Sequence, residues 1–385
     1  MKIQLIHNNY GIYSGEEAVV DRQIALFRQI GYQVFDYRKT TEGLRGTAWG
    51  DIKGLLQGFY SPQSVKDIKR IMKDEKPDVV VIHNLYPYIS PAILKHIKRA
   101  GVPVVMTVHN YRLMCPTGLF MRNARPCELC LEKRNEWNCI RYNCEHSVIK
   151  SLGYAGRNWY ARITKAYSDN VDVFACITAF QTRKLTEAGF SENKMKVIPN
   201  FVDDAIEPSF VRGEYVAVSG RISREKGLDL LLELAQKTPD IEYVFAGTIR
   251  PEDKYLLKNV PANCKFLGQL SKDKLADFYI SCRFLVIASH WYEGFPMTIL
   301  DASSYGKATV GPAHAGFLEV IDDKITGLHF KPSNLEDLTE KITKLWNNPD
   351  TCMEMGKRAF LKLKETYTNE AVKKQWSDML SELQA

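Results

Sequence analysis

At 385 residues, with 45% apolar and 25% charged, the chain has the composition of an ordinary water-soluble protein and is longer than one core usually supports, so two domains are expected. No apolar run approaches membrane-spanning length, and Met1-Lys2 leads directly into Ile-Gln-Leu-Ile, so neither a signal peptide nor a membrane span is expected and a cytoplasmic location is. Residues 1–200 carry 29 Lys+Arg against 18 Asp+Glu, whereas residues 201–385 carry 23 against 27, so the N-terminal half is expected to face something anionic. Nucleic acid is disfavoured as that partner, because no helix-turn-helix, RNP-like or zinc-finger pattern appears.

Lys2 to Ile6 predicts a first strand. A turn bearing Gly11 and Gly15 follows, then a helix with Val20, Ile24, Phe27 and Ile30 on one face and Gly31 as its stop. A glycine-bearing turn between a first strand and a helix is a phosphate or sugar cradle as readily as a plain tight turn. Its spacing is not Gly-x-Gly-x-x-Gly, which argues against a dinucleotide cofactor. Strands at Gln33–Tyr37, Asp78–Ile82 and Val102–Val108 alternate with helices at Val65–Lys73 and Ala92–Ala100, a doubly wound pattern. His83 and His109 stand just past strand ends, where open parallel sheets bind ligands, and His109 is the stronger candidate for chemistry.

Cys115, Cys127, Cys130, Cys139 and Cys144 then fall within thirty residues. Cys127, Cys130, Cys139 and Cys144 have pair spacings that suit a structural zinc, and a set of buried thiols in a long insert fits them too. Ser151 to Ser168 reads as a basic helix in which Arg157, Trp159, Tyr160, Arg162 and Lys165 suit either a solvated face or an anionic membrane surface. A strand at Val171–Ile177, a helix at Ala179–Ala188 and a strand at Met195–Ile198 complete the domain, with a linker expected over residues 201–213.

The second half opens on strand Tyr215–Ser219 and the turn Gly220-Arg221-Ile-Ser-Arg-Glu-Lys226-Gly227, which leads into a helix from Leu228 to Ala235. Arg221 and Lys226 at a strand end suit a diphosphate. Strands at Tyr243–Ala246 and Lys265–Leu267 each end in glycine, at Gly247 and Gly268. Phe284 to Ala288 is a further buried strand, followed by Ser289 to Gly294 and a helix from Pro296 to Tyr305. Glu293 therefore stands at the ligand-facing edge of a sheet, with Asp301 eight positions later on the next helix. Two carboxylates placed this way suit a polyhydroxylated ligand. Helices at Leu335–Asn347, Cys352–Thr366 and Glu370–Leu383 close the chain.

In this order the motifs resemble the GT-B glycosyltransferases of glycosyltransferase family 4. Gly220-Arg221 to Lys226-Gly227 resembles that family's phosphate-binding element, Glu293-Gly294-Phe295-Pro296 to Asp301 its Glu-x7-Glu signature, and Ile198-Pro199-Asn200 its usual end to the N-terminal domain. The Gly15-Glu16-Glu17 turn and the Thr107-Val108-His109 strand end fit the N-terminal part, and the cysteine-rich insert at 115–146 looks like one subgroup.

The resemblance implies an α/β protein with two Rossmann-like doubly wound domains facing across a cleft. Residues 1–200 would form the acceptor-side domain and 214–365 the nucleotide-sugar domain, with a final helix over 366–385 that crosses back. It implies a retaining, metal-independent hexosyltransferase needing no catalytic cofactor, and the absence of any Asp-x-Asp agrees. A UDP-, GDP- or ADP-linked sugar would lie on Gly15, Arg221, Lys226, Gly247, Gly268, Glu293, Gly294, Phe295 and Asp301. Arg221 and Lys226 would neutralise the departing diphosphate, Glu293 would hold the sugar, and His109 would polarise the reacting centre. Asp301 departs from the family's second glutamate and is one methylene shorter. The acceptor would be a lipid-linked saccharide in bacterial surface polysaccharide assembly, met by an enzyme peripheral on the membrane. A GT-B hydrolase or epimerase acting on a nucleotide sugar, and a non-catalytic carbohydrate-binding scaffold, stand as alternatives.

Overall fold

A computed structural model describes residues 1–10, 15–42, 48–203 and 207–384. It divides into a unit of Met1–Phe120, Glu128–Asn200 and Val372–Ala385 and a second of Met121–Cys127 and Phe201–Ala371. The chain supplies β1 (Lys2–Asn9), β2 (Gln33–Thr40), β3 (Val79–Asn84) and β4 (Val104–Val108), a short hairpin β5 (Met121–Arg122) and β6 (Arg125–Pro126), then β7 (Val173–Cys176) and β8 (Met195–Val197). The first unit's sheet is parallel throughout, in the order β2-β1-β3-β4-β7-β8. Helices cover both faces of such a sheet, so its central strands must be apolar on both sides. Val79-Val80-Val81-Ile82 and Val104-Val105 meet that demand, each fully buried.

The second unit holds β9 (Tyr215–Ser219), β10 (Tyr243–Ala246), β11 (Cys264–Gly268), β12 (Cys282–Val286), β13 (Thr309–Pro312) and β14 (Gly327–Phe330), again all parallel, in the order β11-β10-β9-β12-β13-β14. Successive side chains of β12 point to opposite faces. Phe284 and Val286 join Leu228, Leu231 and Leu234 of the Leu228–Lys237 helix in one core layer. Leu285 and Ile287 join Ile299, Leu300 and Leu363 in the other. Each such side chain contributes about 1.5–3 kcal/mol on burial. The strand order reverses between β1 and β3 in the first sheet and between β9 and β12 in the second, and ligands bind beyond the strand ends at such points.

Several expectations shift. The strand expected at Phe284–Ala288 runs from Cys282 to Val286, with its pairing to β9 slipping between Cys282 and Phe284. The stretch expected as a linker is packed where it begins: Val202 N–H donates to Tyr367 O (2.9 Å), and Val202 O accepts from Asn369 N–H (3.1 Å). The Ala48–Phe59 and Lys272–Ser281 helices and β14 are additional. The final helix, Asn369–Glu382, belongs to the first unit from Val372 onward, where Trp376 meets Phe27 edge-on at 5.3 Å. Among the described residues no helix is long and apolar enough to cross a membrane.

Candidate functional site

The second unit's site is built on close backbone approach. Gly227 (φ 81°) ends the turn after β9, and a Cβ there would lie 2.0 Å from the Ala288 carbonyl oxygen, so only glycine lets this turn rest on the chain leaving β12. Gly247 (φ 150°) plays the same part beneath Gly220, where a Cβ would lie 1.7 Å from the Gly220 carbonyl oxygen. Gly247 N–H donates to Gly268 O (2.8 Å), which joins the ends of β10 and β11.

On this scaffold three cations meet two carboxylates. Lys226 Nζ stands 2.7 Å from Glu293 Oε2 and 5.4 Å from the centre of the Trp291 ring, and Ser289 donates its hydroxyl to Glu293 Oε1. Arg221 Nη2 lies 2.7 Å from Glu225 Oε1, and Arg250 Nη1 lies 2.9 Å from Glu225 Oε2. Sequence reasoning missed Arg250 and Glu225, although Arg250 follows β10 at the same edge as Arg221. Gly294 is buried, and the Phe295 ring lies 5.7 Å from that of Tyr367. Asp301 stands by Tyr279 and Tyr305, whose rings stack at 5.6 Å. Burial, with the Asp301 charge second, pushes the Tyr279 phenol well up. Ser223 Oγ and Trp291 Nε1 are buried beside these groups without a hydrogen-bond partner among the described residues. Native structures rarely leave such atoms unpaired, and a ligand is one way to satisfy them.

At the first sheet's edge His7, His83 and His109 gather. His83 Nδ1 and His109 Nε2 are 2.7 Å apart, and the His7 and His83 rings meet edge-on at 6.1 Å. Burial, helped by the His7 charge, lowers His109 to about 3, and burial lowers His7 to about 4. Both are therefore neutral near pH 7; His109 hydrogen-bonds His83, while both His7 ring nitrogens are buried without a hydrogen-bond partner among the described residues. Gly15 begins the Gly15–Gln29 helix, and residues 11–14 before it lie outside the described residues. Glu17 accepts from Tyr10 N–H (2.8 Å), and Tyr10 Oη donates to Glu16 Oε2 (3.3 Å). Burial raises the Glu16 carboxyl to about 7 against the opposing charge of Arg112. Glu16 was marked in sequence only as part of the Gly15-Glu16-Glu17 turn, and its partner Arg112 was not, because Arg112 joins this edge only through the fold.

One expectation about the insert and the helix after it is corrected. Among the described residues no three Cys, His, Asp or Glu side chains form a metal-holding group. All nine cysteines are free thiols, and Cys139 hydrogen-bonds Cys144, with Cys115 and Cys130 near enough to act on its charge. Arg157 is not a surface cation: it is 7% exposed, with its guanidinium 3.7 Å from the Tyr86 ring centre and 4.6 Å from that of Tyr154. Arg162 is exposed, but it is held by Glu136 through Nε–Oε1 (2.6 Å) and Nη2–Oε2 (3.0 Å).

Comparison with known proteins places this architecture. Residues 46–206 match the model described as Glycosyltransferase Family 4, and residues 202–362 match Glycosyl transferases group 1. A glycosyltransferase of Methanocaldococcus jannaschii is 29% identical over 198 residues, covering 50% of this chain and 54% of that protein. The alpha-galactosylglucosyldiacylglycerol synthase of Streptococcus pneumoniae is 24% identical over 217 residues, covering 50% of this chain and 56% of that one. The chain thus spans about half the length of these relatives. The structure of Anabaena HepE in complex with UDP and glucose superposes with a TM-score of 0.67 at 16% identity, over 99% of this chain and 100% of that one, a likeness of fold. The two family matches run together from residue 46 to residue 362, and with the two parallel sheets they show that the chain belongs to the GT-B glycosyltransferases of the family 4 type.

Proposed function

We propose that this glycosyltransferase moves a hexose from a nucleotide sugar to a saccharide acceptor, with retention of configuration and without a catalytic metal or other cofactor. The observation that carries this reading is the grouping of Arg221, Lys226 and Arg250 with Glu225 and Glu293 at the switch point of the second sheet. A departing nucleoside diphosphate gains negative charge as the C1–oxygen bond breaks, and preorganised cations stabilise that charge. The new bond joins C1 to the acceptor oxygen, whose proton passes to the leaving phosphate. Glu293 accepts from sugar hydroxyls, and Asp301 takes the ribose. Backbone N–H groups at Gly294 and Phe295 reach the sugar or phosphate. Gly15, Gly247 and Gly268 leave room for the backbone to approach the donor. His109, neutral and anchored on His83, polarises the reacting centre.

The donor is tested first by thermal shift against UDP-, GDP- and ADP-sugars. UDP-glucose leads the set, since HepE was solved with UDP and glucose. A ligand at 100 times its dissociation constant stabilises by about 2.7 kcal/mol, so one donor should raise the melting point clearly. A flat response to all three classes removes the reading.

The acceptor proposed is a lipid-linked saccharide of bacterial surface polysaccharide assembly, reached by an enzyme peripheral on the cytoplasmic face. The name of the Streptococcus relative points to a lipid acceptor there. The packed Pro62–Asp74 and Ala92–Arg99 helices expose Lys66, Lys69, Arg70 and Lys73 beside Lys95 and Arg99. Basic residues near an anionic bilayer contribute about 1 kcal/mol each. Sedimentation with anionic vesicles should weaken with salt and on charge reversal of this face. Protein that stays in the supernatant at low salt refutes the membrane part.

A further inference from the structure

The first unit carries a cavity of about 250 Å³ that the donor reading does not use. It shares Tyr86, Arg112, Leu113 and Tyr167 with the small cavity beside His83 and His109, so the two adjoin along one wall. The floor is buried and mixed, with Tyr86, Met114, Leu131, Asn158 and Tyr167. The rim is cationic: Arg134, Arg162 and Lys165 are exposed there. Among the described residues Glu136 is the one carboxylate in the lining, and Arg162 already engages both of its oxygens. Among the described residues Arg134 and Lys165 enter no ion pair. The Arg134 guanidinium lies against Gly189, where a Cβ would come within 2.9 Å of it. Both residues follow helix ends in left-handed turns, at φ 45° and 51°. A cation there is favoured by the helix dipole, which accounts for each alone but not for their meeting at one rim.

We infer that this cavity receives a phosphate or diphosphate ester carried by the acceptor, an inference that rests on the sugar-transfer reading above. A neutral saccharide wants carboxylates for its hydroxyls, and the only one present is committed to Arg162. Two uncommitted cations above a partly apolar floor suit an amphiphile with an anionic group, the guanidinium offering a planar fork and the ammonium a point charge. The cysteine-rich insert supplies Cys130, Leu131, Arg134 and Glu136 to the wall. Building this wall is thus the insert's part in the molecule.

The test uses the full chain carrying Arg221→Ala and Lys226→Ala, which removes the other candidate diphosphate site, titrated calorimetrically with farnesyl diphosphate, inorganic diphosphate and farnesol. Farnesyl diphosphate should bind, weaken with salt, and weaken about tenfold or more when Arg134→Glu and Lys165→Glu are added, the scale of lost charge-assisted bonds. Both residues are exposed, so the melting point should hold. Tighter binding of farnesyl than of inorganic diphosphate supports a lipid ester, and equal binding a soluble one. No binding, binding undiminished by the two glutamates, or farnesol binding as well as its diphosphate overturns the assignment. UDP binding to the chain carrying only Arg134→Glu and Lys165→Glu is read alongside. If it is normal while the cavity test fails, the cavity is wrong and the donor reading stands; if UDP fails to bind the wild-type chain, the donor reading falls.

Discussion

Lys226 and Glu293 form an ion pair at 2.7 Å, one side chain from the turn after β9 and the other from the loop after β12. The Glu293 side chain is 8% exposed and that of Lys226 25%, so the pair is largely withdrawn from water. Removing one partner of such a pair costs about 3–5 kcal/mol when fully buried, because the other charge is left uncompensated. Less is expected here, since Lys226 keeps some solvent. Lys226→Met and Glu293→Gln should each lower stability in denaturant melts, and the double variant should regain part of the loss. Turnover behaves differently if Lys226 carries leaving-group charge: it should stay down by ~10²-fold or more in the double variant. Recovery of turnover together with stability would leave the pair a structural bond.

Arg221 and Arg250 share Glu225, one on each of its oxygens. With Lys226 they place three cations at one sheet edge, and on the metal-free route proposed above these side chains stabilise the leaving diphosphate. Turnover should persist in EDTA, and Arg250→Ala should lower it in the same direction as Arg221→Ala. Loss of activity in EDTA, restored only by magnesium or manganese, would refute the metal-free route.

Both sheets, apart from β14, and the second unit's charged edge were legible in the sequence for a physical reason. Parallel strands must be apolar on both faces, which Val79–Ile82 and Phe284–Val286 advertise, and the glycines of the Gly220–Gly227 turn mark backbone approach. Arg157 was read wrongly because its surroundings are tertiary. Gly153 and Gly156 let Leu55 and Phe59 close on the Val148–Ile163 helix, with Cβ positions 2.2 and 3.2 Å from those side chains. Arg157 lies one turn beyond Gly153 and is covered by Tyr86 from a distant loop. The pairing of Glu16 with Arg112 was hidden likewise, since ninety-odd residues separate groups that only the fold unites.

His109 is tested by rate and by pH. His109→Ala should lower turnover strongly with little change in melting point, and a normal rate would make it a packing residue. Stability should also depend on pH. His109 and His7 titrate near 3 and 4 when folded, against an ordinary 6.5, so the unfolded chain binds more protons below about pH 6.5. Stability should therefore fall as pH drops from about 6.5 towards 4. Glu16, raised to about 7 from 4.5, works the other way, losing stability as pH rises from 4.5 through 7. With His109→Asn the acid-side loss should be shallower in urea melts at pH 7, 6 and 5. An unchanged slope would mean that His109 is protonated freely in the folded protein.

The cysteines supply the last prediction. Cys139 is 1% exposed, and its hydrogen bond with Cys144, followed by burial, pushes its thiol well up. Only the thiolate attacks disulfide reagents, so Cys139 should stay silent in folded protein at pH 8, where half-buried Cys127 reacts. Cys144→Ser keeps a hydrogen-bond partner and should leave Cys139 slow; Cys144→Ala removes the partner and should quicken it, and denaturant should release all nine thiols. Zinc on Cys127, Cys130, Cys139 and Cys144 would silence the same thiols, so metal content is measured beside their reactivity. Metal analysis is the sharper measurement. About one zinc per chain, with Cys127, Cys130, Cys139 and Cys144 all protected and released together by a chelator, would mean that the insert closes around a four-thiol site after all. The fold of the insert would then depend on metal, and the cavity wall it builds would loosen on chelation.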